Sequence, residues 1–507
     1  MDHRGGRQVP SLKGRLVRGA AWLVAARLVV NLIGFLSTLL LARLLTPADF
    51  GLVAIATGVL AILGAVTELS LSSALIHSKA PGEDHLNTAW TLNMARALLV
   101  GVVFSGLAWP VALFYHDPRL FPVMLLLALA AMINGASNPR IPLMAKQLIF
   151  WQEFALGAGS KLAGFLAAAA IALIYRSYWA LVVGSVVAQA ANVALSYLFA
   201  PYRPRVSLAK ARELWSFSGW LTLGQIVNTL NWNLDQLLIG RFLSKTDLGF
   251  YKVGGDLAAI PTREATTPFV QVLFAGFAAV REDRPRLQEA VAASQALTFA
   301  IAAPLGIGLA YVAEPVVLLV LGEKWLPAAL VIQIMACLYA IQTLTLTSQP
   351  LGLALGRTKL MFQRDLLVFV TRIPFVVGGL VLGGLLGVVV GRFLAGLIHV
   401  GVNAWLIRQL AGMRVLRQLQ AVWRTAASVA AMAGLLALAG PFLPAGEDPG
   451  RLALRVGFQV LLGGGAYVAV HLGLWMASGR GPGAERRIME LGRHALSRLA
   501  PASPAAR

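Results

Sequence analysis

Eleven charged residues within the long apolar stretches of this chain are the first candidates for any chemistry it performs. The basic ones are Arg27, Arg96, Lys161, Arg263, Arg372 and Arg392; the acidic ones are Glu68, Asp235, Asp256, Glu264 and Glu314. A charge at mid-bilayer depth costs roughly 2.5–3.5 kcal/mol on insertion scales, so such residues normally line a hydrated substrate or ion path. Arg392, Glu264 and Glu314 lie near expected span ends, where a long side chain can snorkel. The carboxylates Glu68, Asp235 and Asp256 are candidates for carrying a coupling proton or cation.

Spacing orders these groups. Arg27, Asn31, Gly34 and Thr38 recur at helical intervals and share one stripe. Gln225, Thr229, Trp232 and Gln236 form a second stripe, with Asn228 and Asp235 beside it. Lys252, Asp256, Ala259, Arg263 and Thr266 form a third, interrupted by Pro261. Hydrogen bonds that simply hold a bundle together are the plainer reading. A shared polar cavity explains better why separate helices carry matching polar faces.

Covalent chemistry is not indicated. The chain lacks the Gly-x-x-x-x-Gly-Lys-Ser/Thr phosphate loop and the His-Glu-x-x-His zinc pair, and its 7 histidines are scattered. A membrane glycosyltransferase or polymerase would need a large soluble loop with clustered acids, whereas these loops are short and basic. The expectation is a non-enzyme without cofactor or metal. Cys337 stands alone in an apolar run, which excludes an intrachain disulfide and reads as a core residue.

The elements that position these residues follow from composition. Of 507 residues 58% are hydrophobic and 13% charged, and the mean hydropathy is +0.73. A soluble domain is about 25% charged, so most of this exterior faces lipid. Apolar runs predict an all-α, polytopic membrane protein with about fourteen spans, near 18–42, 51–74, 88–114, 121–144, 156–175, 178–199, 219–242, 253–278, 291–320, 328–350, 366–384, 387–407, 425–443 and 454–476. The net charge of +21 is expected to reflect basic cytoplasmic loops rather than nucleic-acid binding. Alternate sides of this topology carry 28 and 8 basic residues, which predicts cytoplasmic termini. The apolar N-terminal stretch has no small-residue cleavage site and reads as an uncleaved first span. Residues 484–499 predict a basic amphipathic helix on the inner leaflet.

A shift of 198 positions overlays Trp22–Gly51 on Trp220–Gly249 with 11 identities in 30, including Trp22/Trp220, Arg43/Arg241, Asp49/Asp247 and Gly51/Gly249. Six spans separate the copies, so the repeat is parallel. The organisation expected is a basic arm at 1–17, a six-helix lobe at 18–199 and a basic linker at 200–218. A second six-helix lobe at 219–410, two added helices at 411–476 and a basic tail at 477–507 complete it.

Four runs resemble the polysaccharide-transporter (Wzx-type flippase) family of the multidrug/oligosaccharidyl-lipid/polysaccharide exporter superfamily. They are Leu41–Gly51 (LARLLTPADFG), Leu69–Ile76 (LSLSSALI), Leu321–Pro327 (LGEKWLP) and Gln349–Arg357 (QPLGLALGR). The resemblance implies two lobes about a cleft, alternating access, and a polyprenyl-pyrophosphate-linked oligosaccharide carried across the bacterial inner membrane. It places Arg27 and Arg263 on the pyrophosphate, with Arg96, Lys161 and Arg372 adding positive potential, since Arg grips phosphate bidentately. Asn31, Gln225, Asn228, Trp232 and Gln236 would face the sugar. A polysaccharide polymerase and glycosyltransferases would be functional partners. A multidrug or cation antiporter, a flippase for the cell-wall precursor and a non-transporting scaffold remain alternatives; six basic against five acidic candidates weigh against the antiporter.

Overall fold

In the computed structural model the described residues are 29–68, 82–146, 151–211, 219–442 and 448–479, and among them the structure is helical without strands. A helix satisfies its own backbone hydrogen bonds, which hydrocarbon surroundings require. Arg27, the N-terminal arm, Leu69–Ile76 and the expected tail helix at 484–499 lie outside the described residues.

The long helices are α1 Val29–Leu44, α2 Pro47–Val66, α3 Glu83–Phe114, α4 Leu120–Gly135, α5 Trp151–Tyr175, α6 Trp179–Phe199, α7 Gly219–Phe242 and α8 Lys245–Ala279. They continue as α9 Arg284–Val320, α10 Leu326–Gln342, α11 Thr358–Ala411, α12 Val415–Ala439 and α13 Pro449–Ala477. Among the described residues nine helical segments are long and apolar enough to cross a membrane, and α1 and α4 are shorter apolar helices. With the polar α7 and α8, and with α11 folded back on itself, the crossings among the described residues number fourteen. The fold class expected from the sequence is the one observed.

α11 is two helices. Its backbone breaks at Gly383 and Gly384, and Gly384 adopts φ 54°, ψ −131°, a region reserved for glycine. On either side of the turn Gly379 and Gly387 lie against each other's carbonyl, so that a Cβ on either would overlap the facing backbone. The break falls where the expected spans 366–384 and 387–407 meet.

The chain forms two compact units, Met1–Gly249 and Phe250–Arg507. In the first, Leu41, Leu45, Ala168, Ala172 and Ala180 form a core cluster. α5 and α6 pack through Gly164 and Gly184, where a Cβ on each would sit 2.8 and 3.0 Å from the other's carbonyl. Such small residues are how helices approach closely without a hydrophobic driving force. The segment 201–211 is strapped to the start of α3. Tyr202 Oη donates to Asn87 Oδ1 at 2.5 Å, and the Arg205, Ser207 and Lys210 amides donate to Asn87, Thr91 and Thr88.

The repeat has a structural counterpart in this unit. Thr46 and Asp49 form a reciprocal capping box at the start of α2. Ser244 and Asp247, 198 positions later, form the same box at the start of α8, with amide-to-side-chain distances of 3.3 and 3.0 Å. Each satisfies orphan N–H groups of its helix's first turn.

In the second unit Phe277, Leu287, Val291, Leu351, Leu406 and Ile407 form the core. The last two helices are fastened to it by a buried glutamine and a half-buried tyrosine. Gln418 donates to the Ala404 and Met413 carbonyls and accepts from Gln295, and Tyr467 Oη donates to the Ala300 carbonyl at 2.7 Å.

Candidate functional site

α7 carries a polar face at membrane depth. Gln225, Asn228 and Trp232 are exposed and Gln236 is half-buried, at spacings that keep all four on one side of the helix. Asp235 and Asn231 point into the protein, at 1% and 9% exposure. The helical stripe expected from the sequence therefore divides. Its amides and tryptophan are accessible, while Asp235 is enclosed.

α8, in its second-unit portion, repeats the pattern. The side chains of Asp256 and Arg263 are 59% and 61% exposed, Gln271 is exposed and Thr267 half-buried. Thr266, expected on this stripe, is buried at 5%. The exposed face centres on Asp256, Arg263 and Thr267, and Thr266 sits 100° back from its neighbour, against the interior. Side chains of this polarity cannot face hydrocarbon over several turns without a cost of several kcal/mol. Water along each face would remove that cost.

The charges on α8 are paired but not neutralised. Lys252 Nζ lies 3.2 Å from Asp256, and Arg263 Nε lies 3.1 Å from Glu264 Oε1. Exposed ion pairs are worth about 0–1 kcal/mol, so an incoming dianion can displace the carboxylate. Arg263 meets Glu264 through Nε, and the Nη1/Nη2 edge is the one that forks onto phosphate.

α1 and α5 contribute a further cation. Lys161 is exposed midway along α5, and its Nζ lies 3.5 Å from the Val30 carbonyl. A Cβ on Gly34 would come within 3.2 Å of that ammonium, so the glycine leaves its space open. Asn31, on the adjoining turn of α1, is half-buried.

Other expected residues are engaged within the protein. Arg96 Nη1 lies 3.1 Å from Glu68 Oε2 in a half-buried pair, which joins a proposed cation to a proposed coupling acid. Arg372 is buried at 7% in α11. In the same helix Arg364 donates to Asp365 at 2.6 Å, to Asn403 at 3.3 Å and to Ser348 at 3.5 Å. Sequence reasoning missed this cluster because Arg364 and Asp365 sit at the edge of a span and read as loop charges. It also missed Thr267 and Gln271; extending the Asp256–Arg263 spacing by further turns would have found them.

Away from the stripes, the loop between α3 and α4 holds an ion cluster. Asp117, 4% exposed, accepts from the Arg119 amide, Nε and Nη2 at 2.9–3.0 Å, and Lys245 Nζ lies at 3.3 Å. Burial pushes the Asp117 carboxyl up, but Arg119 and Lys245 outweigh it and hold it below the usual carboxylate value. No cluster of His, Cys, Asp and Glu suited to a metal occurs among the described residues.

Among the described residues, the accessible groups on these faces are amides, a tryptophan, carboxylates and cations, a chemistry suited to holding a polar, charged cargo. Residues 40–330 match the family described as polysaccharide biosynthesis protein. The lipopolysaccharide biosynthesis protein WzxC of Escherichia coli is 26% identical over 400 residues, covering 77% of this chain and 80% of that one. The succinoglycan biosynthesis transport protein ExoT of Rhizobium meliloti is 24% identical over 401 residues, covering 78% and 81%. Among solved structures, the lipid II flippase MurJ in an inward closed conformation superposes with a TM-score of 0.67 at 14% identity, covering 90% of this chain and 99% of that one.

Proposed function

We propose, from the premise that the chain belongs to the polysaccharide biosynthesis protein family, that it is a flippase for lipid-linked oligosaccharides. The observation that carries this reading is the pair of exposed polar faces at membrane depth, on α7 and α8. The cargo has three parts, and the chain offers a place for each. The diphosphate takes the guanidinium of Arg263, which exchanges Glu264 for a better-matched dianion. Lys161 adds positive potential, as Arg27 would. The sugar takes the amides of Gln225, Asn228 and Gln236 and the face of Trp232. The isoprenoid tail needs no protein site, since hydrocarbon is already its solvent. Asn31 is assigned to the sugar, and Arg96, Arg372, Glu68, Asp235 and Asp256 to supporting charge or ion coupling.

Neither stripe is predominantly acidic, as a cation antiporter would require. The orientation proposed has both termini in the cytoplasm of a bacterial inner membrane, because the expected loops divide their basic residues 28 to 8. Proteoliposomes loaded with a fluorescent polyprenyl-pyrophosphate oligosaccharide test the reading. Flipping should expose the label to a membrane-impermeant reductant faster than in empty vesicles. Cation-driven uptake of organic cations without such flipping would favour the antiporter, and neither activity would favour a scaffold.

A further inference from the structure

One corner of the second unit has the chemistry of a lipid headgroup site. Arg284 and Gln288, one turn apart on α9, reach the end of α11. Arg284 Nη1 donates to the Leu410 carbonyl at 3.4 Å and Gln288 Nε2 to the Ala411 carbonyl at 3.0 Å. Arg417, on the first turn of α12, donates through Nη1 to Gln288 Oε1 at 2.7 Å. One glutamine thus tethers the second guanidinium beside the helix end that the first one caps. Gly412, in the left-handed region at φ 73°, makes the sharp connection that lets α12 start there. The last carbonyls of α11 carry partial negative charge that favours cations at this helix end.

A helix cap needs only one or two N–H groups. Each guanidinium has five, and the contacts above use one from each. Arg284 and Arg417 are both exposed, as is Arg414 one turn before Arg417. Beside this cationic cluster, the first turns of α12 present an apolar stripe outward. Leu416 is 66% exposed, Leu419 49% and Trp423 47%. These positions share one face, and Arg417 and Arg424 lie about a third of a turn from its centre. The opposite face, with Gln418, Val422 and Thr425, is buried. α12 therefore carries an apolar stripe on the same turns as the tethered Arg417, just before its uncharged run from Thr425.

We propose that this corner binds an anionic phospholipid. Its phosphate would lie across Arg284 and Arg417, and its acyl chains along Leu416, Leu419 and Trp423. Charge complementarity and position commit the site to that occupant. The headgroup must be negative to sit between two guanidinium groups, and the chains must continue into hydrocarbon where the stripe does. Zwitterionic lipids supply the chains without the net charge, so the site discriminates against them. Basic pockets at the ends of membrane helices recognise anionic headgroups on this principle. The site shares no residue with the polar stripes and does not depend on the transport reading.

The test is native mass spectrometry of the full chain, delipidated and titrated with phosphatidylglycerol or phosphatidylcholine, alongside thermal unfolding. The wild type should retain one phosphatidylglycerol at least tenfold more tightly than phosphatidylcholine, and phosphatidylglycerol alone should raise its Tm. R284Q/R417Q, which keeps a hydrogen-bond donor at each position, should lose both effects. R281Q/R286Q removes two exposed arginines that pair with Glu282 and Asp283, and should behave as wild type. L416Q/L419Q leaves the arginines in place and should weaken retention severalfold, which decides the matter if R284Q/R417Q does not fold. Equal retention by wild type and R284Q/R417Q, or equal loss in R281Q/R286Q, would overturn the proposal.

Discussion

Gly51 and Gly249 stand 198 positions apart in the chain, and each rests on the backbone carbonyl of the residue four before the other. Gly51 lies against Lys245 and Gly249 against Pro47, so closely that a Cβ at either would overlap the carbonyl. The contact is exchanged in the way that two-fold symmetry demands: i meets j, and j meets i. The same offset relates the capping boxes Thr46–Asp49 and Ser244–Asp247. The first turns of α2 and α8 are thus repeat partners crossing at their matched glycines.

Gly51→Ala and Gly249→Ala should each push this crossing apart, at a cost of about 1–3 kcal/mol for overpacking. Because one contact serves both residues, the double variant should lose less than the sum of the two singles. Thermal unfolding of the purified variants in detergent measures this. Strict additivity would mean the two glycines act independently.

Asp117 offers a second check. Its folded pKa lies below the ordinary 3.8, so its ion cluster adds stability that is complete above that value. The contribution is lost as the pH falls through the depressed pKa. Asp117→Asn should cost about 1–2 kcal/mol at neutral pH, less than a fully buried pair because Arg119 is half-exposed. It should also flatten the acid side of the stability profile. Unfolding midpoints from pH 7 down to 3 supply the comparison, and a parallel pH dependence in wild type and variant would contradict it.

The strap at 201–211 depends on Tyr202 and Asn87. Burial, with help from Tyr197 and against Arg140, raises the Tyr202 hydroxyl to about 12. It therefore remains a donor throughout the physiological range. The stability it links to folding is present below pH 10 and is lost as the pH climbs toward 12. Tyr202→Phe removes a bond worth about 0.5–1.5 kcal/mol and should speed tryptic cleavage after Arg205 severalfold at pH 8. Unchanged cleavage would show that the three backbone amides hold the strap without it.

Much of this was legible in the sequence. The spans could be read because hydrocarbon demands about twenty apolar residues per crossing, and the repeat because Trp, Arg, Asp and Gly are costly to match by accident. The α7 stripe could be read from spacing alone. What spacing cannot say is which edge of a stripe faces the protein interior. Asp235 and Thr266 lie on the edges of their stripes and are buried, while Gln271 lies beyond the part considered and is exposed. Pairings between distant segments were equally hidden. Arg96 with Glu68, Arg364 with Asn403 and Asp117 with Lys245 are set by packing, and no local pattern encodes them.

Arg263 separates charge from geometry. Arg263→Ala should lower flipping ten- to hundredfold, the loss of about 1.5–3 kcal/mol expected for a hydrogen bond to a charged group. Arg263→Lys should recover part of that, since it restores the charge without the fork. Initial flipping rates at matched protein density give the values. Full activity in Arg263→Ala would make this residue a surface ion-pair partner of Glu264 and nothing more.

If the α7 and α8 faces border water and meet the anionic cargo, one set of engineered cysteines reads both properties. Cys337 is the single cysteine, so Cys337→Ala yields a thiol-free background by one change. In it, cysteines placed singly at Asn228, Trp232 and Thr267 should react with a membrane-impermeant maleimide. One placed at the lipid-exposed Leu461, 78% accessible, should not. Saturating lipid-linked pyrophosphate oligosaccharide should slow the three reactions at least threefold. Stripe cysteines as inert as the one at Leu461, or reactive but indifferent to the cargo, would mean that these faces do not form the cargo path.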